Sequence, residues 1–195
     1  TIIAAALAAV EHTGLSEVSL CSLSSSDHPE IARIFAELNR LLGPRRVSVA
    51  LPSLRAEEEL ALVPAGISTV RKGALTIAIE SADPAVRRAI GKPINEHAVF
   101  AACDEAYRRG WTHVKLYFMI GLPGEVEDRL DGIVELADRI AALRRGLGKP
   151  PGQVTASVSC FVPKPHTPLQ WLGQRDEEYF FAARRRLGQA VRDKR

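Results

Sequence analysis

The chain is poor in cysteine. Only Cys21, Cys103 and Cys160 occur, 82 and 57 positions apart. An odd count at that spacing gives no disulfide framework and no pair at metal-ligand spacing; it is the usage of a reducing cytoplasm. Each thiol is expected to serve as a small core residue. Long apolar runs are also missing. The longest, Ile2 to Val10, is too short to span a bilayer and lacks the flank and cleavage site of a signal peptide. No membrane partner is expected. The two signs of charge nearly balance, 26 Lys and Arg against 23 Asp and Glu. A net charge of +3 does not indicate nucleic acid, and the basic run Arg184 to Arg195 that supplies the excess reads as a solvated helix end. There is no internal repeat and no low-complexity segment. No Met stands before Thr1, so the chain is expected to be a piece of a longer protein. With 195 residues, 46% hydrophobic and 25% charged, it can bury one sizeable core.

Three strand-like runs are present, each ending in a pointed loop: Leu75 to Ser81, Val114 to Gly124 and Val154 to Thr167. Each alternates. Thr76, Ala78 and Glu80 oppose Ile77 and Ile79. Lys115, Tyr117 and Met119 oppose Val114, Leu116 and Phe118. Thr155, Ser157 and Ser159 oppose Val154, Ala156 and Val158. A closed barrel fills its interior with Val, Ile and Leu. One small or polar face on successive strands therefore predicts a wet, open cavity around a polar ligand.

The remaining elements follow from periodicity and punctuation. A helix is predicted over 1–12, closed by Gly14, and a strand over 17–24. Asp27 is the expected N-cap, with Pro29 in the first turn, of a helix striped by Ile31, Ile34, Phe35 and Leu38 and ended by Gly43-Pro44. A strand over 46–51 and a short helix from Arg55 to Leu62 precede the strand at 74–80. Asp83-Pro84 opens a brief helix stopped by Gly91, and Asn95 caps a longer one ending at Gly110. After the strand at 113–120, Leu130, Ile133, Val134, Ala137 and Ile140 form a helical stripe. Residues 145–153 read as loop, 153–160 as the last strand, and a final helix starts near Asp176. Alternating β and α elements imply five parallel strands in sequential order, and the shared polar face favours a curled sheet.

In such folds ligands sit at the carboxyl ends of strands. Those ends are Ser22 to Asp27, Leu51 to Arg55, Glu80-Ser81, Gly121 to Glu125 and Val162 to His166. Glu80 can accept from a ribose hydroxyl or an amine; its alternative is a salt bridge to Arg87 or Arg88. Gly121 and Gly124 let backbone approach a ligand. Ser24, Ser25 and Ser26 can meet a carboxylate or amine, or form an ordinary turn. Lys115 on the cavity face calls for an anion or snorkels at the rim. His166, between two prolines, is a ligand contact or a loop histidine. Tyr117 and Ser159 lie on the same face as Lys115.

EVSLCSLSSSDHP, VSVALPSLR, VKLYFMIGLPGE and VSCFVPKPHTPLQW, in this order and spacing, resemble the radical SAM superfamily over roughly residues 10–172. The likeness is greatest to uncharacterised members with an upstream cobalamin-binding-type domain. GLPGE is widespread in the superfamily; its combination with SLSSSDHP and FVPKPHTPLQW is more specific. The resemblance implies an α/β fold, a partial (β/α)6 TIM-like barrel, here lacking its first strand and cluster loop. It implies S-adenosylmethionine as cofactor and, in the full protein, a four-iron, four-sulfur cluster that reduces it to a 5′-deoxyadenosyl radical acting on an unknown substrate. Cobalamin would enter through the upstream domain of the same parent, which is the expected partner. By resemblance, Ser24 and Ser25 meet the methionine amino group, Glu80 contacts ribose or methionine, Met119 and Gly121 pack on adenine, and Phe161 and Val162 close its far side. Lys164 and His166 point toward substrate, with Lys115, Tyr117 and Ser159 on that side. Trp171 ends the barrel as a packing residue. The expected division is a barrel over 1–175 and an amphipathic basic helix over 176–195.

There are departures. No C-x-x-x-C-x-x-C loop occurs, so no metal ligands are assigned in this chain, and no D-x-H-x-x-G cobalamin motif occurs. IESADP looks more like methylthiotransferase and tRNA-modifying relatives. Two functional classes stay open: the core of a radical enzyme, or a non-catalytic module holding a nucleoside or S-adenosylmethionine, or merely packing. A third is a TIM-type phosphate site at Gly121 to Gly124, which the proline in GLPG fits poorly.

Overall fold

The computed structural model describes residues 1–21, 28–50 and 75–194. The expected Asp27 cap, the 55–62 helix and the strand ends at 22–27 and 51–55 lie outside them. The chain forms two compact units, residues 1–73 with 108–111, and residues 74–107 with 112–195.

The first unit holds helix α1 (Ile2–Thr13), strand β1 (Glu17–Ser19), helix α2 (Ile31–Leu42) and strand β2 (Ser48–Ala50). Gly14 closes α1 by donating its N–H to the Val10 carbonyl. β1 and β2 pair in parallel, with Val18 opposite Val49. The helices bury Ala6, Val10, Ile34, Leu38 and Leu42 together with Val47. Each full burial of such a side chain stabilises by roughly 1.5–3 kcal/mol, which outweighs the poor cap at Glu30. Pro29 lies in the turn before α2, not inside its first turn. β2 starts two residues later than the pattern predicts, because Arg46 takes a left-handed conformation (φ 58°) closing a 3-10 turn.

The second unit is built on β3 (Leu75–Glu80), β4 (His113–Ile120) and β5 (Gln153–Cys160), parallel and in that order. Between them run α3 (Pro84–Ala89), α4 (Glu96–Arg108) and α5 (Asp131–Leu143); α6 (Glu177–Asp193) follows. Asp83 caps α3 by accepting from the Ala85 N–H at 2.8 Å, and Pro84 holds the first helical position. Asn95 accepts from Ala98 N–H at 3.3 Å, and Asp176 caps α6 through the Tyr179 N–H at 2.9 Å. One sheet face is apolar and buried: Leu75, Ile77, Ile79, Val114, Leu116, Phe118 and Ile120. Val99, Ala102, Ala106, Ile133, Leu136 and Ile140 are the buried stripes of α4 and α5. Leu136 takes a core position where the sequence pattern pointed to Val134 and Ala137, both half-buried.

Two packing expectations are corrected. Cys103 is buried, but Cys21 and Cys160 are exposed; Cys21 lies two residues past β1, and Cys160 is the last residue of β5. Trp171 is 87% exposed. It stands in the turn-rich segment after β5, and Leu169 there packs instead on the buried cluster of Val86, Leu122 and Phe161.

Candidate functional site

The register sets the solvent-facing side of β3, β4 and β5. Thr76, Lys115 and Thr155 lie in one row across the strands, and Ala78, Tyr117 and Ser157 in the next. Met119 and Ser159 form a third. Opposite them, Val114 and Leu116 are fully buried. Period-two alternation of hydrophobicity is thus realised as two chemically distinct sheet faces. Lys115 Nζ lies 4.8 Å from the centroid of the Tyr117 ring, a cation–π contact that holds both side chains over the polar rows. His113 and Thr155 Oγ1 are 2.9 Å apart at the opposite end of β4.

Glu80 ends β3 in an unusual way. The pairing shifts between Ala78 and Glu80, so that Glu80 stands opposite Phe118. Its φ is 67°, in the left-handed region that a non-glycine residue enters at a cost. Bulges re-aim side chains beside functional sites. Here the re-aimed carboxylate accepts from Lys92 Nζ at 2.6 Å. The salt-bridge partner is therefore Lys92, not Arg87 or Arg88. Arg87 is 2% exposed and does something else. It donates to the Ser81 carbonyl at 2.8 Å and to the Glu96 carboxylate at 2.6 Å. It thereby fixes the backbone just beyond Glu80. The pairing of Lys92 with Glu80 across twelve residues carries no short-range pattern, so spacing alone could not find it.

At the end of β4, Gly121 has φ 84° and Gly124 φ 78°. The Gly121 N–H donates to Glu125 Oε1 at 2.6 Å. The same oxygen accepts from the Tyr179 hydroxyl. Burial first, then this acidic neighbour, pushes the Tyr179 phenol well above its usual range. A Cβ on Gly121 would lie 3.0 Å from Phe180 and 3.4 Å from Arg175, so that side of Gly121 is covered by the segment leading into α6. Glu125 and Tyr179 were not singled out from the sequence, although GLPGE contains the first.

The other candidates are spread. Met119 is half-buried and packs on the Val86, Leu122 and Phe161 cluster, where Phe161 is a buried packing residue. Val162 is 52% exposed. Ser159 Oγ donates to the Phe118 carbonyl at 3.2 Å. Lys164 and His166 are exposed; the Lys164 carbonyl accepts from Thr167, and His166, at φ 61°, donates its N–H to Gln170 at 3.0 Å. Ser24 and Ser25 lie outside the described residues. The structure brings Lys115, Tyr117 and Ser159 onto one face, with Glu80 and Gly121 at the ends of adjacent strands. Among the described residues, Lys164 and His166 bond instead within their own segment, to Thr167 and Gln170.

The model of the Radical SAM superfamily matches residues 1–137. The chain belongs to the radical SAM superfamily. It is 30% identical over 159 residues to an uncharacterized protein of Methanocaldococcus jannaschii, covering 80% of this chain and 32% of that protein. The chain thus spans about a third of that relative. It is also similar to the solved structure of coproporphyrinogen III oxidase from Escherichia coli, described as a radical SAM enzyme, with a TM-score of 0.53 and 15% identity over 97% of this chain and 46% of that one. At that identity the likeness speaks for the fold, an α/β arrangement with parallel sheets. Family membership implies S-adenosylmethionine and a four-iron, four-sulfur cluster. The chain's own thiols do not fit a cluster: they are far apart in sequence, and among the described residues no three His, Cys, Asp or Glu side chains gather as metal ligands. No helix among the described residues is long and apolar enough to cross a membrane.

Proposed function

We propose that this chain is the S-adenosylmethionine-holding part of a radical SAM enzyme, with the cofactor lying over the polar face of β3 to β5 at their carboxyl ends. The observation that carries the reading is the registered row structure ending at a strained, re-aimed Glu80. Small side chains at Thr76, Ala78, Ser157 and Ser159 leave room over the sheet, and hydroxyls line it. Glu80 supplies an acceptor for a ribose hydroxyl or ammonium, in exchange for its contact with Lys92. Met119 offers a soft apolar surface to adenine, beside the Gly121 turn. Lys115, Tyr117, Lys164 and His166 would serve the substrate side, while Ser24, Ser25 and Val162 would add contacts to the cofactor. With its family's reduced cluster, a bound S-adenosylmethionine would supply radical chemistry, and none of these residues would ligate that cluster. The reading includes a partial barrel over 1–175, an appended helix over 176–195 and a cytoplasmic setting. It does not include cobalamin. The alternative is a module that holds a nucleoside without redox chemistry.

Equilibrium dialysis of the protein with S-adenosylmethionine tests the site. Glu80→Ala should raise the dissociation constant by about ten- to a hundredfold, the worth of one charge-assisted hydrogen bond. An unchanged constant in a folded variant removes Glu80 from the site and leaves it as the partner of Lys92. No binding by the wild-type protein refutes the cofactor reading.

A further inference from the structure

The turn after β4 is held from outside its own strand. Glu125 Oε1 accepts two donors at once, the Gly121 N–H at 2.6 Å and the Tyr179 hydroxyl. Tyr179 is itself fixed on three sides. Its N–H donates to Asp176 at 2.9 Å, the Arg175 guanidinium lies 5.2 Å from its ring centroid, and the Phe180 ring meets it edge-on with centroids 5.4 Å apart. Phe180 in turn packs against Gly121. Farther along α6, Arg186 donates to Asp131 at 2.9 and 2.8 Å and to Asp128 at 3.0 Å, tying the helix to α5. The first turn of α6 therefore contacts both ends of the Gly121–Glu125 turn, at a residue whose left-handed backbone gives the turn other conformations to visit.

We propose that Tyr179 and Glu125 form a latch by which α6 sets the conformation of the Gly121–Glu125 turn, making Tyr179 a positioning residue for whatever the turn contacts. The ligand half of this inference rests on the S-adenosylmethionine reading above; the latch itself does not. Neither residue needs to touch the ligand. With the phenol in place, Glu125 is held by two partners and keeps the Gly121 N–H directed into the turn. Without it, the carboxylate is free to rotate into solvent and the turn loosens.

The test is Tyr179→Phe, which keeps the ring and removes the latch oxygen. Amide hydrogen exchange is followed at Gly121 and at Leu116 in the middle of β4, and S-adenosylmethionine binding is measured by equilibrium dialysis. The expected result is about tenfold faster exchange at Gly121 with Leu116 unchanged, and a several-fold weaker dissociation constant. Unchanged exchange at Gly121, or equal acceleration at Leu116, overturns the latch as a local device. Faster exchange at Gly121 with an unaltered dissociation constant overturns the positioning role. A wild-type protein that binds no S-adenosylmethionine refutes the cofactor reading, while the exchange data still decide the latch.

Discussion

Gly121→Ala separates two reasons for a glycine at the end of β4. Both Gly121 and Gly124 have left-handed backbones, with φ of 84° and 78°. A side chain there costs roughly 1–2 kcal/mol in backbone strain. The two positions differ in space. A Cβ on Gly124 meets nothing within 4 Å, whereas one on Gly121 meets Phe180 Cε1 at 3.0 Å and Cζ at 3.1 Å. Crowding a packed ring adds about 1–3 kcal/mol. Gly121→Ala should therefore destabilise by about 3 kcal/mol and Gly124→Ala by about 1–2 kcal/mol. Urea unfolding followed by circular dichroism measures both. Phe180→Leu should remove the excess, appearing as a coupling of about 1 kcal/mol or more in the double-variant cycle with Gly121→Ala. If Gly121→Ala costs no more than Gly124→Ala, or if the cycle shows no coupling, then α6 does not pack on this turn and the contact network at Glu125 is wrong.

Four further outcomes are expected. A Cβ at Gly152 would collide with the Tyr107 hydroxyl and stand 2.5 Å from Tyr107 Cζ, so Gly152→Ala should cost about 3 kcal/mol in the same unfolding assay. The Tyr107 hydroxyl is buried without a hydrogen-bond partner and its phenol is pushed up to about 12, chiefly by burial; Tyr107→Phe should be neutral or slightly stabilising, and should flatten the loss of stability as pH rises from about 10 toward 12. Arg87→Ala removes a buried cation that serves the Ser81 carbonyl and Glu96; it should destabilise by about 3 kcal/mol, and a loss under 1 kcal/mol in urea unfolding would count against its role behind Glu80. The Arg186 guanidinium holds the Asp131 carboxyl below its usual range. A depressed folded value gives stability that is present above the unfolded value and lost as pH falls through the folded one, so Arg186→Ala should weaken the acid-side dependence of the melting temperature, and an identical profile would refute the pairing.

Local chemistry was enough for much of the frame. Alternation in LTIAIE and VKLYFMI determined which sheet faces are buried, because a strand offers no other way to hide Ile77, Ile79, Leu116 and Phe118 together. Asp83-Pro84, Asn95 and Asp176 marked helix starts because a cap acts within three residues of itself. The motif strings carried the family, through chemistry packed into short runs at strand ends. What the tertiary structure decided depends on residues distant in sequence. The register shift at Glu80 and its union with Lys92 require the fold of the intervening helix. The family resemblance implied a packing role for Trp171, yet it is exposed while Leu169 is drawn into packing, a choice made by where the turns after β5 place each residue. Glu125 and Tyr179 lie 54 positions apart. Nothing near either one in sequence announces the other, and only the packing of α6 on the end of β4 joins them.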